Sequence, residues 1–133
     1  MSNSASFEVK TSVNLEEILS VVSGLWVGNA YHVDVLIHPD TSGRIFCILD
    51  YFFKENLEQH KMLTEVLKYL SEISEDKKIY YYRCVDFFPI QDSVIPITEI
   101  NLEDLFKADF EPSIGASVEV KYLISSASIE SSS

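Results

Sequence analysis

The stretch RIFCILDYFF at residues 44–53 is almost uninterrupted apolar and aromatic sequence. Two charged residues separate it from NLEQHKMLTEVLKYLSEIS at residues 56–74, and KIYYYRCVDFF at residues 78–88 is apolar again. In the middle segment Met62, Leu63, Val66, Leu67, Leu70 and Ile73 recur at three- and four-residue steps, which sets them in one stripe along a helix. Glu58, Lys61, Glu65, Lys68 and Glu72 alternate in sign on the other face. Such pairs add only roughly 0.2–0.5 kcal/mol each, so the apolar stripe is what holds the helix down. Asn56 with Gln59 three residues on resembles a capping box. The two flanking runs are rich in aromatic and β-branched residues and read as strands beneath the stripe.

The rest of the chain arranges itself around that strand–helix–strand unit. Residues 7–13 alternate Phe7, Val9 and Val13 with Glu8, Lys10 and Ser12, a half-buried strand. Asn14 with Glu17 signals a helix start, and Leu15, Ile18, Leu19 and Val22 share one face of that helix. Gly24 and Gly28 bracket Trp26 and end it. Residues 31–38, YHVDVLIH, alternate again, and PDTSG at residues 39–43 is turn chemistry with glycine at the position needing φ > 0. A hairpin into residues 44–53 follows. If His38 faces Arg44, then Val35 faces Cys47, Val33 faces Leu49 and His32 faces Asp50.

Beyond Pro89 the pattern weakens. Residues 90–100 contain Pro96 and read as an extended connection, residues 101–106 as a short capped helix, and residues 112–115 as a turn. Residues 117–125 alternate Val118, Val120, Tyr122 and Ile124 with Glu119, Lys121 and Leu123, a last strand. The order β-α-β-β-α-β, followed by a short helix and strand, predicts an α+β fold. Its core is an antiparallel sheet with helices packed on one face, in the split βαβ, ferredoxin-like arrangement. In that arrangement the strand at 7–13 lies between those at 44–53 and 78–88. The expected division is a flexible N-terminus at residues 1–6, a single α+β domain at 7–124, and a disordered Ser-rich tail at 125–133.

One feature conflicts with a sheet open on one side. Ile45, Cys47, Leu49, Tyr51 and Phe53 point one way and Phe46, Ile48 and Phe52 the other, so the strand is apolar on both faces. Residues 78–88 repeat the pattern, with Tyr80, Tyr82 and Phe88 opposite Ile79, Tyr81, Val85 and Phe87. Left open, such a surface exceeds the few hundred Å2 of apolar patch that monomers tolerate. The segment after Phe88, a second copy or a partner must cover it.

At 133 residues, 47% apolar and 23% charged, the chain has the composition of an ordinary globular domain, large enough for a core without disulfides or metal. No apolar run approaches the roughly 20 residues of a membrane span, and MSNSASFEVK lacks the basic and apolar regions of a signal peptide. With only Cys47 and Cys84, a cytoplasmic location is the expectation. The net charge of −11 argues against nucleic-acid binding and against anionic membranes. It is also unevenly placed. Between Lys54 and Lys78 six acidic residues face five lysines, whereas from Asp86 to Glu111 seven acidic residues face Lys107 alone.

Residues suited to acid–base or metal work are His32, His38, Asp34, Asp50 and Asp86. The hairpin sets His32 beside Asp50, a base with an orienting carboxylate or, more plainly, a polar pair at a sheet edge. No Gly-x-Ser-x-Gly, His-Glu-x-x-His or glycine-rich loop accompanies them. Cys47 and Cys84 lack the spacing of a metal knuckle and read as buried thiols, and His60 as a half-solvated helix residue. No catalytic residue, metal or cofactor is expected.

The acidic segment interleaves its carboxylates with Phe87, Phe88, Ile90, Ile95, Ile97, Ile100, Leu102, Leu105, Phe106 and Phe110. If the apolar residues pack home, a carboxylate-studded surface remains outside, suited to a strongly basic protein. Asp86, Asp92, Glu99, Glu103, Asp104 and Asp109 are the candidate partner-binding residues. The class that fits size, acidity and lack of a catalytic signature is an immunity protein, an antitoxin-type inhibitor of a basic bacterial toxin such as a nuclease. An acidic dimeric secretion chaperone is the alternative binding class, which leaves room for a homodimer. A small-ligand or enzymatic α+β domain using His32 and Asp50 is the alternative of a different class.

Overall fold

The computed structural model describes residues 4–28, 32–37, 43–50, 56–82, 97–107 and 121–130. The elements are β1 (Ser4–Lys10), α1 (Leu15–Leu25), β2 (Val33–Ile37), β3 (Arg44–Asp50), α2 (Leu57–Ile73) and β4 (Ile79–Tyr82). Then come β5 (Ile97–Ile100), α3 (Leu102–Lys107), β6 (Lys121–Ile124) and α4 (Ser126–Glu130). The fold is α+β, and the described residues form a six-stranded sheet in the order β2-β3-β1-β4-β6-β5. β1 pairs antiparallel with β3 on one side and β4 on the other, the neighbours that the sequence pattern assigns to it. The sheet is not wholly antiparallel, because β5 runs parallel to β6. Residues 90–100 were expected to be an extended connection, but their last four form this strand. Ile97 and Ile100 are three apart, so no period of two marks it, and its partner lies beyond α3.

Pleat alternation decides which residues enter the core. Phe7 sits opposite Cys47 and Tyr81, Cys47 opposite Val35, and Tyr81 opposite Tyr122. This row runs across five strands on one face. Phe7 and Tyr81 have ring centroids 5.4 Å apart, and Tyr81 stacks on Tyr122 at 5.9 Å. Onto the row press Ile18, Val22 and Trp26 from α1 and its end, Leu63, Val66, Leu67 and Leu70 from α2, Leu102 and Leu105 from α3, and Ile129 from α4. All belong to one buried cluster. The α2 stripe predicted from sequence is the buried one.

Local chemistry sets the helix limits. Asn14 Oδ1 accepts from Glu16 N at 2.7 Å and Asn56 Oδ1 from Gln59 N at 3.1 Å, each satisfying one amide that the helix leaves unpaired. At the other end of α2, Ser74 is buried and its Oγ accepts from Lys78 N at 3.1 Å, which folds the chain back into β4. The β2–β3 turn ends on Gly43 at φ 80°, the left-handed conformation expected there.

Of the two ends expected to be flexible, residues 4–6 and 126–130 form regular structure, while residues 1–3 and 131–133 lie outside the described residues. Ser4, Ala5 and Ser6 belong to β1, pairing with Asp50, Leu49 and Ile48, and Ala5 is buried. The residues are too small to show a strand pattern, yet β3 is long enough to give them partners. Ser126–Glu130 is helical, not disordered, because its one large apolar residue, Ile129, is buried in the core and Ser128 Oγ accepts from Leu102 N at 3.0 Å. Replacing Leu67 by Ala is expected to cost roughly 2–5 kcal/mol through the cavity it leaves. Denaturant unfolding measures this, and a loss below about 1 kcal/mol belongs to a surface site.

Candidate protein-binding surface

The face of the sheet turned from the helices carries Asp34 and Leu36 on β2, Arg44, Phe46, Ile48 and Asp50 on β3, Ser6 and Glu8 on β1, and Tyr80 on β4. Ser6, Glu8 and Phe46 are buried within the single chain. The concern raised by the two-sided apolar strands is therefore met at the centre of this face without a second copy. Glu8 lies between Phe46 and Tyr80 in the pairing and is fully buried, and Arg44 Nη1 donates to its Oε1 at 2.8 Å. A buried carboxylate is tolerable only when paired in this way. Sequence reading placed Glu8 on the polar side of a half-buried strand. The signal that it is buried was the apolar character of both neighbouring strands on that same face. Arg44→Ala, which takes this charged hydrogen bond from a buried carboxylate, is expected to cost about 1.5–3 kcal/mol, read from the midpoint of chemical unfolding.

His32, Asp34 and Asp50 meet at the far end of this face. The hairpin register is the one the turn implied, with Val35 opposite Cys47 and Val33 opposite Leu49. Asp50 N donates to His32 O at 2.9 Å, so His32 and Asp50 are cross-strand neighbours. Trp26 Nε1 donates to Asp50 O at 3.3 Å, tying the end of α1 to the same point. Burial first, and the Asp34 charge second, push the Asp50 carboxyl above its ordinary range, while His32 pulls the other way. Cys47 is buried beneath the helices and its thiol is pushed up to about 12 by burial, so it is no nucleophile. His60 stacks on Phe106 with centroids 4.0 Å apart, a packing role that joins α2 to α3. No group of three or more His, Cys, Asp or Glu that could hold a metal ion occurs among the described residues. His38, Cys84 and Asp86 lie outside the described residues.

A carboxyl raised in the folded state favours folding at low pH and loses that advantage as pH rises through its folded value. Asp50→Asn is therefore expected to be more stable than the parent at neutral pH. The gap should close below the ordinary carboxylate range, as paired thermal melts at the two pH values would show.

Of the acidic candidates, Glu99, Glu103 and Asp104 are described, and all three are exposed. Asp86, Asp92 and Asp109 lie outside the described residues. Glu99 is on β5, at the sheet's edge, and Glu103 and Asp104 occupy the first turn of α3, where Asp104 N donates to Asn101 Oδ1 at 2.8 Å. Acidic residues suit a helix start through the dipole, which is the plain reason for two of them. The helix is nonetheless two-sided. Leu102 and Leu105 are buried in the core while the carboxylates point outward, the packing-home arrangement that the interleaved sequence suggests. Ile97 is 57% exposed beside them. Ser125 N donates to Ile100 O at 2.9 Å, so the β5–α3 corner is fastened to α4.

No protein family, curated protein or solved structure matches the chain. Among the described residues, no helix is long and apolar enough to cross a membrane.

Proposed function

We propose that the chain is a small acidic protein-binding domain, and more specifically an immunity protein that neutralises a basic bacterial toxin such as a nuclease. The observation that carries this reading is the two-sided β5–α3 corner. Its apolar residues Leu102 and Leu105 are consumed by the core, so the Glu99, Glu103 and Asp104 carboxylates stay exposed on the outer side, in a chain of net charge −11. Such a surface accelerates encounter with a cationic partner. The acidic dimeric secretion chaperone, which shares the size and acidity, is less favoured because Phe46, on the second face of the sheet, is buried within one chain.

The test uses the product of the neighbouring gene, co-expressed with the tagged chain and then measured as a purified pair. Association should be fast at low salt and slow as salt rises, because charges beyond roughly 8–10 Å are screened at physiological ionic strength. Reversing Glu99, Glu103 and Asp104 to lysine should slow association by about tenfold or more at low salt, and leave the melting temperature almost unchanged. Equal association rates for parent and variant, at both salts, would reduce the surface to a solubility feature.

A further inference from the structure

Among the described residues the sheet ends at β2, and no described strand pairs with its outer edge. Because His32 and Asp50 form a hydrogen-bonded pair, alternation turns the backbone of Asp34 and Leu36 toward β3 and that of Val33, Val35 and Ile37 outward. These outward groups have no backbone partner among the described residues. Edge strands are ordinarily blunted by Lys, Pro or a bulge. Val33–Ile37 contains neither residue type and pairs one to one with β3 along its whole length. Leu36 is 42% and Ile37 65% exposed.

What lies beside the edge also matters. α1 packs on β2. Leu19 of α1 is 39% exposed. A strand laid along β2 thus meets three outward N–H and C=O pairs. On the helix side it meets Ile37, and on the other face Asp34, with Asp50 one strand inward.

We propose that β2 is a docking edge for an extended segment of the basic partner, in which cationic and apolar residues alternate. The segment adds a strand to the sheet, its apolar residues opposite Val33, Val35 and Ile37 and a cation opposite Asp34. Asp34 sits in a non-hydrogen-bonded position of the new pairing, where opposed side chains approach most closely. Charge selects this occupant over a second copy. A copy brings the same −11, and antiparallel pairing about Val35 sets Asp34 against the copy's Leu36, with no cation to meet it. The inference rests on the basic-partner reading but concerns a different edge, so the two fail separately.

The probe is an acetylated, amidated eight-residue peptide of alternating lysine and valine, titrated at physiological salt. Its control carries N-methyl groups on the valines, the residues whose amides pair with β2. Methylation should weaken binding about tenfold or more, since main-chain bonds supply the affinity of strand addition. Val35→Pro should do the same; its lost N–H points away from β3, and edge strands accept proline in that orientation. Asp34→Lys should weaken binding about threefold or more. Reversal of Glu103 and Asp104 should leave it within about twofold, because the two edges are farther apart than the screening length. Slowed amide exchange at Val33, Val35 and Ile37 on adding the peptide supports the proposal even if Val35→Pro fails to fold. Equal binding of methylated and unmethylated peptides overturns it, as does self-association of the peptide-free chain that Val35→Pro abolishes.

Discussion

β1 is buried on both faces, and that constraint orders the rest of the molecule. On the helix side Ala5, Phe7 and Val9 lie beneath the helices; on the other side Ser6 and Glu8 are closed off from solvent as well. A strand slipped by one residue would exchange these sets. It would push Glu8 into the apolar cluster and leave Arg44 without its carboxylate. The cost of stranding a buried charge exceeds that of losing one apolar contact, so the ion pair pins the register against β3 while Phe7 and Tyr81 pin it against β4. Every other strand takes its phase from these two ladders, and the row Val35–Cys47–Phe7–Tyr81–Tyr122 is the result.

The helices then divide the labour. α1 packs on β2 and α2 on β4, and the short α3 and α4 complete the same cluster through Leu102, Leu105 and Ile129. A six-residue helix is too short to be stable alone, so α3 exists because its apolar side is taken up by the core and its ends are held. Asn101 caps the start, Ser128 Oγ accepts from Leu102 N, and Phe106 stacks on His60. The carboxylates that favour its first turn are, by the same geometry, the ones left facing out. A local helix-start preference and a charged surface are here one arrangement, seen from inside and from outside.

The parts legible in the sequence were those with a strong period or a strong turn. The α2 stripe, the caps at Asn14 and Asn56, the left-handed Gly43 and the His32–Asp50 pairing all follow from local spacing. Tertiary partners decided the rest. Ser4–Ser6 become strand because β3 has unpaired residues opposite them, and Ser126–Glu130 becomes helix because the single Ile129 finds the core. β5 shows no alternation because it is four residues at an edge, exposed at Ile97, Thr98 and Glu99. The burial of Glu8 was implicit in the apolar second faces of its neighbours, a relation between strands that no single window contains. Of the acidic surface, the sequence revealed the composition, and packing revealed which side of α3 faces out.

The two edges of the sheet differ in character. At β5 the exposed groups are mostly polar or acidic; at β2 apolar groups and an open backbone adjoin a single carboxylate, with a second one strand inward. Five inter-strand spacings separate them, about 24 Å, which is more than twice the screening length at physiological ionic strength. Charges at one edge therefore have little direct hold on binding at the other. A partner that uses both must bridge the whole width of the sheet, and the face it would cross is already closed at Ser6, Glu8 and Phe46. On the proposed reading a broad cationic surface would meet the β5 corner, where long-range attraction would govern encounter. On the same proposal an extended segment would meet the β2 edge, where short main-chain bonds would govern residence. Rate and lifetime of one complex would then be set by opposite ends of the same sheet.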